Sequence, residues 1–472
     1  MSRFVGRERE LDLLVRELGR VASSSPDGHR GRCLLMRGRR RVGKSRLVEE
    51  FIERADVPFL FFTATGASHD ADLRRLVQDA ERSTLPARGL LAAARPADWN
   101  AAFEVLSAAI PNDRPSVVVM DELPYLMDPD HAFEGYLQRF WDREFERKPV
   151  LFVLVGSDLS MMQALNSYER PFHQRGREMV VGPLNPAEVS EMLDLTSAEA
   201  FDAALVTGGL PLICADWARG NGLDAFFEES LNNPLSALLV SAERSLAAEF
   251  PQWTQARTVL GAIGSGERTF SNIARAAGGL QATPVQRSLA TLMEKRVVSG
   301  ELPISTRPSK DRRYWVADPY LRFWLRFLQP HMAEIERGRG DLTLERIREG
   351  WTSWRGRAVE PMIREALARL LPDQQLPSAP AIGGYWTRSN DIEIDIVGAD
   401  RAPIAKELVF AGSIKWLERS PFDRHDLAAL RRHRAALGDA ALPLVAVSRS
   451  GVSCDGLDAV YGPDDLLRAW RT

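Results

Sequence analysis

The sequence predicts an α/β fold built on a parallel sheet, and three observations predict it. Short apolar runs recur between residues 33 and 181, namely Cys33–Met36, Phe59–Thr63, Val117–Met120, Val150–Val155 and Met179–Val181, with helix-length segments between them. A loop rich in glycine and arginine, Gly38-Arg39-Arg40-Arg41-Val42-Gly43-Lys44-Ser45, follows the first run directly. The third run ends in two adjacent carboxylates, Asp121-Glu122. Runs of this length, β-branched or aromatic and bounded by turn signals, are strands buried on both faces, as in a parallel sheet covered by helices.

The loop completes the pattern G-x-x-x-x-G-K-[ST], and the segment after it, Arg46–Ile52, has helical spacing. A strand, a glycine loop and a helix in that order form a phosphate-binding loop. Gly38 and Gly43 allow the torsions that turn successive N–H groups inward on a phosphate chain. Lys44 supplies a point charge for the β/γ oxygens, and the Ser45 hydroxyl can ligate Mg²⁺. The helix start adds its orphan N–H groups and dipole, so Arg46 joins the loop residues as a candidate contact.

Asp121 and Glu122 stand at the C-terminal end of a strand, where open α/β sheets place their chemistry. Asp121 would hold Mg²⁺ through water, and Glu122 would polarise the water that attacks the γ-phosphate. Phosphoryl transfer needs this division of labour, because its catalysis is mostly positioning and charge stabilisation. The fourth run ends in Gly156-Ser157, and the Ser157 hydroxyl is a candidate partner for the attacking water or the γ-phosphate. The basic turn Pro171–Arg177 offers Arg175 or Arg177 as an arginine finger.

At this point the chain resembles a known family. Phe4-Val5-Gly6-Arg7-Glu8-Arg9-Glu10-Leu11, the loop, Met120-Asp121-Glu122-Leu123-Pro124-Tyr125-Leu126, Val155-Gly156-Ser157 and Gly208-Gly209-Leu210-Pro211 together look like the archaeal-type AAA/STAND P-loop ATPases. The resemblance implies a five-stranded core with the catalytic-glutamate strand inserted beside the loop strand. It also implies a helical lid over residues 183–235. Gly6 and Arg7 would lie against the adenine, and Pro211 would start a lid helix facing the nucleotide. Pro211 after two glycines is a sound helix start, since proline fixes φ at the first turn.

Residues 250–330 change character. Ala256–Ile263, Thr269–Ala274 and Val285–Glu294 have helical spacing, broken by Gly278-Gly279, and Val297–Gly300 with a basic hairpin follows. A helix-turn-helix with a basic hairpin is a winged-helix pattern. Arg287 on the third helix and Arg307, Lys310, Arg312 and Arg313 in the hairpin are the candidates for phosphate contact with DNA. In Asp318–Phe327, Tyr320, Phe323, Trp324 and Phe327 share one helical face, with Asp318 as cap and Pro319 in the first turn. That face is read as packing, not as a base-stacking platform.

The last third opens with helices, one expected to start near Arg355 and carry Val359-Glu360, and continues into short strands. Ile392–Val397 alternates acidic and apolar residues, the pattern of a half-buried strand. Ile404–Val409 is expected as a strand, leading to a second strand end at Lys415. An acid on a helix (Glu360), an acid on a strand (Asp395) and a lysine on the next (Lys415) resemble the Mg²⁺ site of restriction-type PD-(D/E)XK nucleases, in which carboxylates hold the metal and lysine activates water. Ser413 stands where that pattern requires an acid, so the domain is expected to have lost cleavage. Glu407, on the preceding strand at an even offset from Ser413, shares its face as a substitute carboxylate. The domain would still bind DNA or dock a partner, with Glu360, Asp395 and Lys415 retained as a structural ion cluster.

Length, charge and cysteine usage bound this reading. The 472 residues exceed one ordinary core. A net charge of −3 means that any nucleic-acid contact must come from a local patch. Cys33, Cys214 and Cys454 match no disulfide or metal spacing, as in a reducing compartment. The charged start, Met1–Arg7, lacks a signal-peptide core, and no apolar run approaches the roughly 20 residues of a membrane span. The expected architecture is an α/β P-loop NTPase core (1–182), a helical lid (183–235), a winged-helix domain (236–330) and a restriction-endonuclease-like α/β domain (331–472). The expected function is a cytoplasmic, Mg²⁺-dependent ATPase switch acting on double-stranded DNA or a partner protein, with no membrane and with oligomerisation open. The alternatives are an ATP-regulated DNA endonuclease and a non-catalytic ATP-binding regulator of a defence or transcription system.

Overall fold

The computed structural model describes residues 4–23, 31–127, 132–157, 159–168, 170–249 and 255–471. They form two compact bodies, Met1–Pro183 and Leu184–Thr472.

The first body is a five-stranded parallel sheet of β1 (Arg32–Arg37), β2 (Phe59–Thr63), β3 (Ser116–Asp121), β4 (Val150–Gly156) and β5 (Arg177–Val180). Its order is β2-β3-β4-β1-β5. Every residue of β3 and β4 is buried, as expected of runs without a polar face. This order corrects one expectation. The strand carrying Glu122 is separated from the loop strand by β4, whose wholly apolar run takes the centre of the sheet. Parallel register sets Arg37 opposite Gly156 and Met120 opposite Leu154. The residues following β1, β3 and β4 therefore emerge at one edge of the sheet. Helix α1 (Glu8–Ala22) precedes β1, and α2 (Lys44–Ala55) follows it.

The second body starts with helices whose boundaries are written locally. Asn185 with Glu188 and Thr196 with Glu199 form capping boxes for Pro186–Leu193 and Ser197–Thr207. Pro211 opens Pro211–Ala215 at its first position. Three helices, Gln255–Gly264, Phe270–Ala276 and Ala282–Glu294, precede an antiparallel pair, β6 (Val298–Glu301) and β7 (Arg313–Val316). The aromatic segment folds as expected. The Asp318 side chain accepts from the Leu321 N–H (2.9 Å), and Tyr320, Phe323, Trp324 and Phe327 are buried. Phe323 lies 5.4 Å from Phe227 and 5.7 Å from Trp354, centroid to centroid.

Two expectations for the last third are corrected. The helix expected from near Arg355 runs over Gly340–Ala358, and Glu360 opens a separate helix, Glu360–Leu370. Pro361 has no N–H to continue the ladder, so the chain breaks there. Arg322 reaches the freed carbonyls of Arg357 and Ala358 at 3.4 and 3.5 Å. Ile404–Glu407 is a loop, and one strand covers the rest. The mixed sheet comprises β8 (Ala381–Trp386), β9 (Glu393–Ala399), β10 (Leu408–Lys415), β11 (Leu444–Ser448) and β12 (Ala459–Tyr461), in the order β12-β11-β10-β9-β8. β8, β9 and β10 are antiparallel, whereas β10, β11 and β12 are parallel.

Helix Ser197–Thr207 shares its core with this sheet: Phe201 packs edge-on against Trp416 at 5.3 Å. Beside it, buried Asp202 accepts from Arg355 (3.1 Å) and Arg449 (2.9 Å). Removing one member of a buried ion cluster leaves its partners charged and desolvated. Asp202→Ala is expected to lower unfolding stability by about 3 kcal/mol in urea melts followed by tryptophan fluorescence.

Candidate nucleotide site

The loop after β1 is shaped by one close backbone approach and by left-handed backbone at Arg41 (φ +67°) and Gly43. A Cβ on Gly38 would lie 2.2 Å from the Val181 carbonyl oxygen, and Gly43 adopts φ +88°. Lys44 Nζ donates to the carbonyls of Gly38 (2.8 Å) and Arg39 (3.0 Å). The first α2 hydrogen bond runs from Leu47 N–H to Gly43 O, so the N–H groups of Lys44, Ser45 and Arg46 precede the ladder and remain donors for an anion.

Across the sheet edge, Ser45 Oγ donates to Asp121 Oδ2 at 2.7 Å, and Asp121 Oδ1 accepts from the Glu122 N–H at 2.9 Å. Ser157 Oγ, from the end of β4, donates to Glu122 Oε2 at 2.9 Å. Glu122 sits in the left-handed region, φ +53°, a strained conformation for a side-chain-bearing residue. Burial pushes the Lys44 ammonium below its ordinary value, opposed by the charges of Glu122 and Asp121. Burial likewise raises the Asp121 carboxyl, opposed by its hydrogen bonds from Ser45 and the Glu122 amide. Lys44, Ser45, Asp121, Glu122 and Ser157, drawn from three strand ends, thus form one hydrogen-bonded and charge-coupled group. The Ser45 hydroxyl and Asp121 carboxylate fit Mg²⁺, which prefers hard oxygen donors.

The other residues expected here divide. Gly6 and Arg7 both have positive φ, and the buried Arg7 guanidinium donates to Val42 O (2.9 Å) and Gly182 O (2.7 Å). Arg7 is therefore a strut behind the loop, and Val42 is buried against the core. The Arg46 side chain turns along the helix to Glu49 and Glu50, leaving only its N–H for the site. Arg41 is half-buried, with one guanidinium nitrogen lacking a protein partner.

Arg175 is not at the site. Leu34 lies opposite Arg177 in the parallel pairing of β1 and β5, so Arg175 falls level with Arg32, at the other end of the sheet. At about 3.3 Å per residue this is roughly 20 Å from Gly38. There it holds Asp142 with two bonds of 2.7 and 2.9 Å. Arg177 pairs with Glu17 at 3.2 Å. Pro211 belongs to the second body, where its turn packs internally: a Cβ on Gly209 would lie 2.0 Å from the Leu184 carbonyl oxygen. Tyr125, given no individual role by the sequence, stands on the rim. Its hydroxyl accepts from Arg40 at 3.2 Å.

Residues 3–153 match the model of the AAA ATPase domain. Residues 324–427 match a family described as archaeal and bacterial proteins of unknown function. An uncharacterized protein of Methanocaldococcus jannaschii is 23% identical over 396 residues, covering 83% of each chain. Among solved structures, the Walker-type ATPase of Pyrococcus abyssi is similar with a TM-score of 0.46 and 17% identity, over 68% of this chain and 96% of that one. The ORC2 protein of Aeropyrum pernix is similar with a TM-score of 0.47 and 15% identity, over 74% and 98%.

In the second body, Asp395 on β9 and Ser413 on β10 stand opposite each other. Asp395 Oδ2 accepts from Ser413 Oγ (2.9 Å) and from the Ile414 N–H (2.8 Å). Glu360 is buried near Arg364, whose guanidinium also donates to Glu301 (3.1 Å) and to the Asp395 carbonyl (2.8 Å). Lys415 is not part of this cluster; its ammonium pairs with Asp426 at 2.7 Å. Glu407 is exposed ahead of β10. Among the described residues, no group of three or more His, Cys, Asp or Glu could hold a metal ion. Arg287, Arg307, Lys310 and Arg312 are exposed. Arg313 is buried instead: it pairs with Glu393 and Asn390 and lies over the Trp386 ring, 4.5 Å from its centroid. The hairpin is stitched to the mixed sheet, by Ile304 N–H to Gly384 O (2.9 Å) and Trp386 Nε1 to Asp311 O (2.7 Å). This contact removes Arg313 from any phosphate-binding set.

Proposed function

We propose that this chain is a Mg²⁺-dependent ATPase of the AAA/STAND kind whose nucleotide state controls DNA or partner binding by its second body. The observation that carries the reading is the linked group Lys44, Ser45, Asp121, Glu122 and Ser157 at one sheet edge, which supplies each role phosphoryl transfer needs. The loop amides and Lys44 hold the phosphates. Ser45 and Asp121 are the residues that would hold Mg²⁺, which when bound neutralises charge on the β/γ oxygens. Glu122, oriented by Ser157, takes the proton of the attacking water.

The finer assignments rest on pattern. Three helices followed by β6 and β7 support a winged helix, whose exposed Arg287, Arg307, Lys310 and Arg312 suit DNA phosphates. Helix Glu360–Leu370, antiparallel β8-β9-β10, helix Arg424–Arg434 and parallel β11 support a nuclease-like domain. The hydrogen bonds on Asp395, the Arg364 guanidinium beside Glu360 and the pairing of Lys415 with Asp426 favour an ion cluster over a working metal site.

The test is phosphate release with and without Mg²⁺ and duplex DNA, beside a Mg²⁺/Mn²⁺ cleavage assay on the same DNA. Mg²⁺-dependent turnover, stimulated by DNA that stays uncut, is expected. Cleavage lost in Asp395→Ala would establish the endonuclease alternative, and absence of Mg²⁺-dependent turnover would leave a binding-only regulator.

A further inference from the structure

Phosphoryl transfer builds negative charge on the γ-phosphoryl oxygens, and an arginine supplied within the chain or by a partner subunit commonly offsets it. The arginines first suited to this role are elsewhere, since Arg175 is bound to Asp142 at the far end of the sheet and Arg177 pairs with Glu17. The loop itself carries a better-placed cation. Arg40 is exposed at the third position of the loop, and its guanidinium donates to Tyr125 Oη at 3.2 Å. Tyr125, partly exposed, is anchored at its backbone and touches the chain at one ring face. Its N–H donates to the Glu122 carbonyl at 3.0 Å, and its ring covers Gly66, where an added Cβ would come within 2.9 Å of it. A tyrosine three residues beyond Glu122 thus draws Arg40 towards the glutamate's side of the loop, the side on which water would attack. Arg40 also acts electrostatically on Lys44: after burial, its positive charge is a further cause lowering the ammonium's pKa.

We infer that Arg40 is a catalytic arginine acting within its own subunit, held at the site by Tyr125, so that hydrolysis needs no arginine from a second copy. This rests on the ATPase reading above. In the step it assists, the water oxygen bonds to the γ-phosphorus as its proton passes to Glu122. The bond from the γ-phosphorus to the bridging oxygen breaks, and its electron pair stays on the β-phosphate of the departing ADP. Arg40 contributes positive charge to the γ-phosphoryl oxygens, where charge develops, and the planar guanidinium suits two oxygens at once.

The test is steady-state ATP hydrolysis by Arg40→Ala, Arg40→Lys and Tyr125→Phe in the full chain, together with a mixing experiment. Arg40→Ala is expected to lower kcat by about 100-fold or more with KM for ATP within about threefold, because a catalytic arginine acts mainly on the transition state. Arg40→Lys is expected to recover part of kcat, keeping the charge without the fork. Tyr125→Phe is expected to lower kcat by only a few-fold, since it loosens Arg40 without removing it. Mixing Arg40→Ala with Lys44→Ala protein is expected to restore no activity. Arg40→Ala turnover within twofold of wild type, or activity regained on mixing, would overturn the inference while leaving the ATPase reading intact. A wild-type chain without Mg²⁺-dependent turnover would overturn both. Because Arg40 is exposed, unchanged thermal unfolding of the variant separates lost chemistry from lost folding.

Discussion

Lys44→Ala is expected to reduce ATP hydrolysis to background and to weaken ATP binding by about 10- to 100-fold, the range set by losing one charged hydrogen bond of about 1.5–3 kcal/mol. Lys44 is buried, and its ammonium closes the loop on the Gly38 and Arg39 carbonyls. It is also the cation that opposes Asp121 and Glu122 at the sheet edge. Removing it strips the loop of its phosphate-directed charge and leaves two neighbouring acids facing a polyanion. Both effects grow as charge develops in transfer, so turnover falls further than affinity. Phosphate release measures the first quantity, and competition with a fluorescent ATP analogue measures the second. Normal hydrolysis by Lys44→Ala would show that the loop is not the working site.

The loop, the acid pair and Ser157 were legible in the sequence because each is a local pattern at the end of an apolar run. A parallel sheet with β4 between β1 and β3 then gathers the three ends without further instruction. The arginines were not legible in the same way. Arg7, Arg40, Arg175 and Arg313 look alike as exposed basic residues in a sequence. Their roles follow from tertiary partners: Val42 and Gly182 carbonyls for Arg7, Tyr125 for Arg40, Asp142 for Arg175, and Glu393 with Trp386 for Arg313. Strand order is hidden for a related reason, since it depends on which run is apolar enough to occupy the middle. In the second body, the alternation around Asp395 and the serine at 413 were readable. The partners Arg364, Glu301 and Asp426 were not, because each comes from a different element.

Glu122→Gln is expected to lower kcat by about 10³-fold while changing ATP affinity little, because a general base contributes about 10² to 10⁴. The substitution keeps size and shape. Its amide oxygen can still accept from Ser157 Oγ, which holds the native side chain at 2.9 Å. The left-handed backbone at 122 places the same demand on glutamine as on glutamate, so the local conformation should persist. Ser45, Asp121 and Lys44 are untouched, and the residues assigned to hold phosphates and Mg²⁺ remain in place. What is lost is the negative charge that would accept the proton of water. The variant should therefore accumulate bound ATP, seen as a nucleotide-stabilised melting transition that does not decay over the time in which wild type would convert ATP to ADP. If the second body responds to the nucleotide rather than to its hydrolysis, this variant should hold the ATP-bound response, whether duplex or partner binding, at full strength. Turnover equal to wild type would instead mean that Glu122 does not act on the attacking water, and that the strained turn holding it serves only the fold.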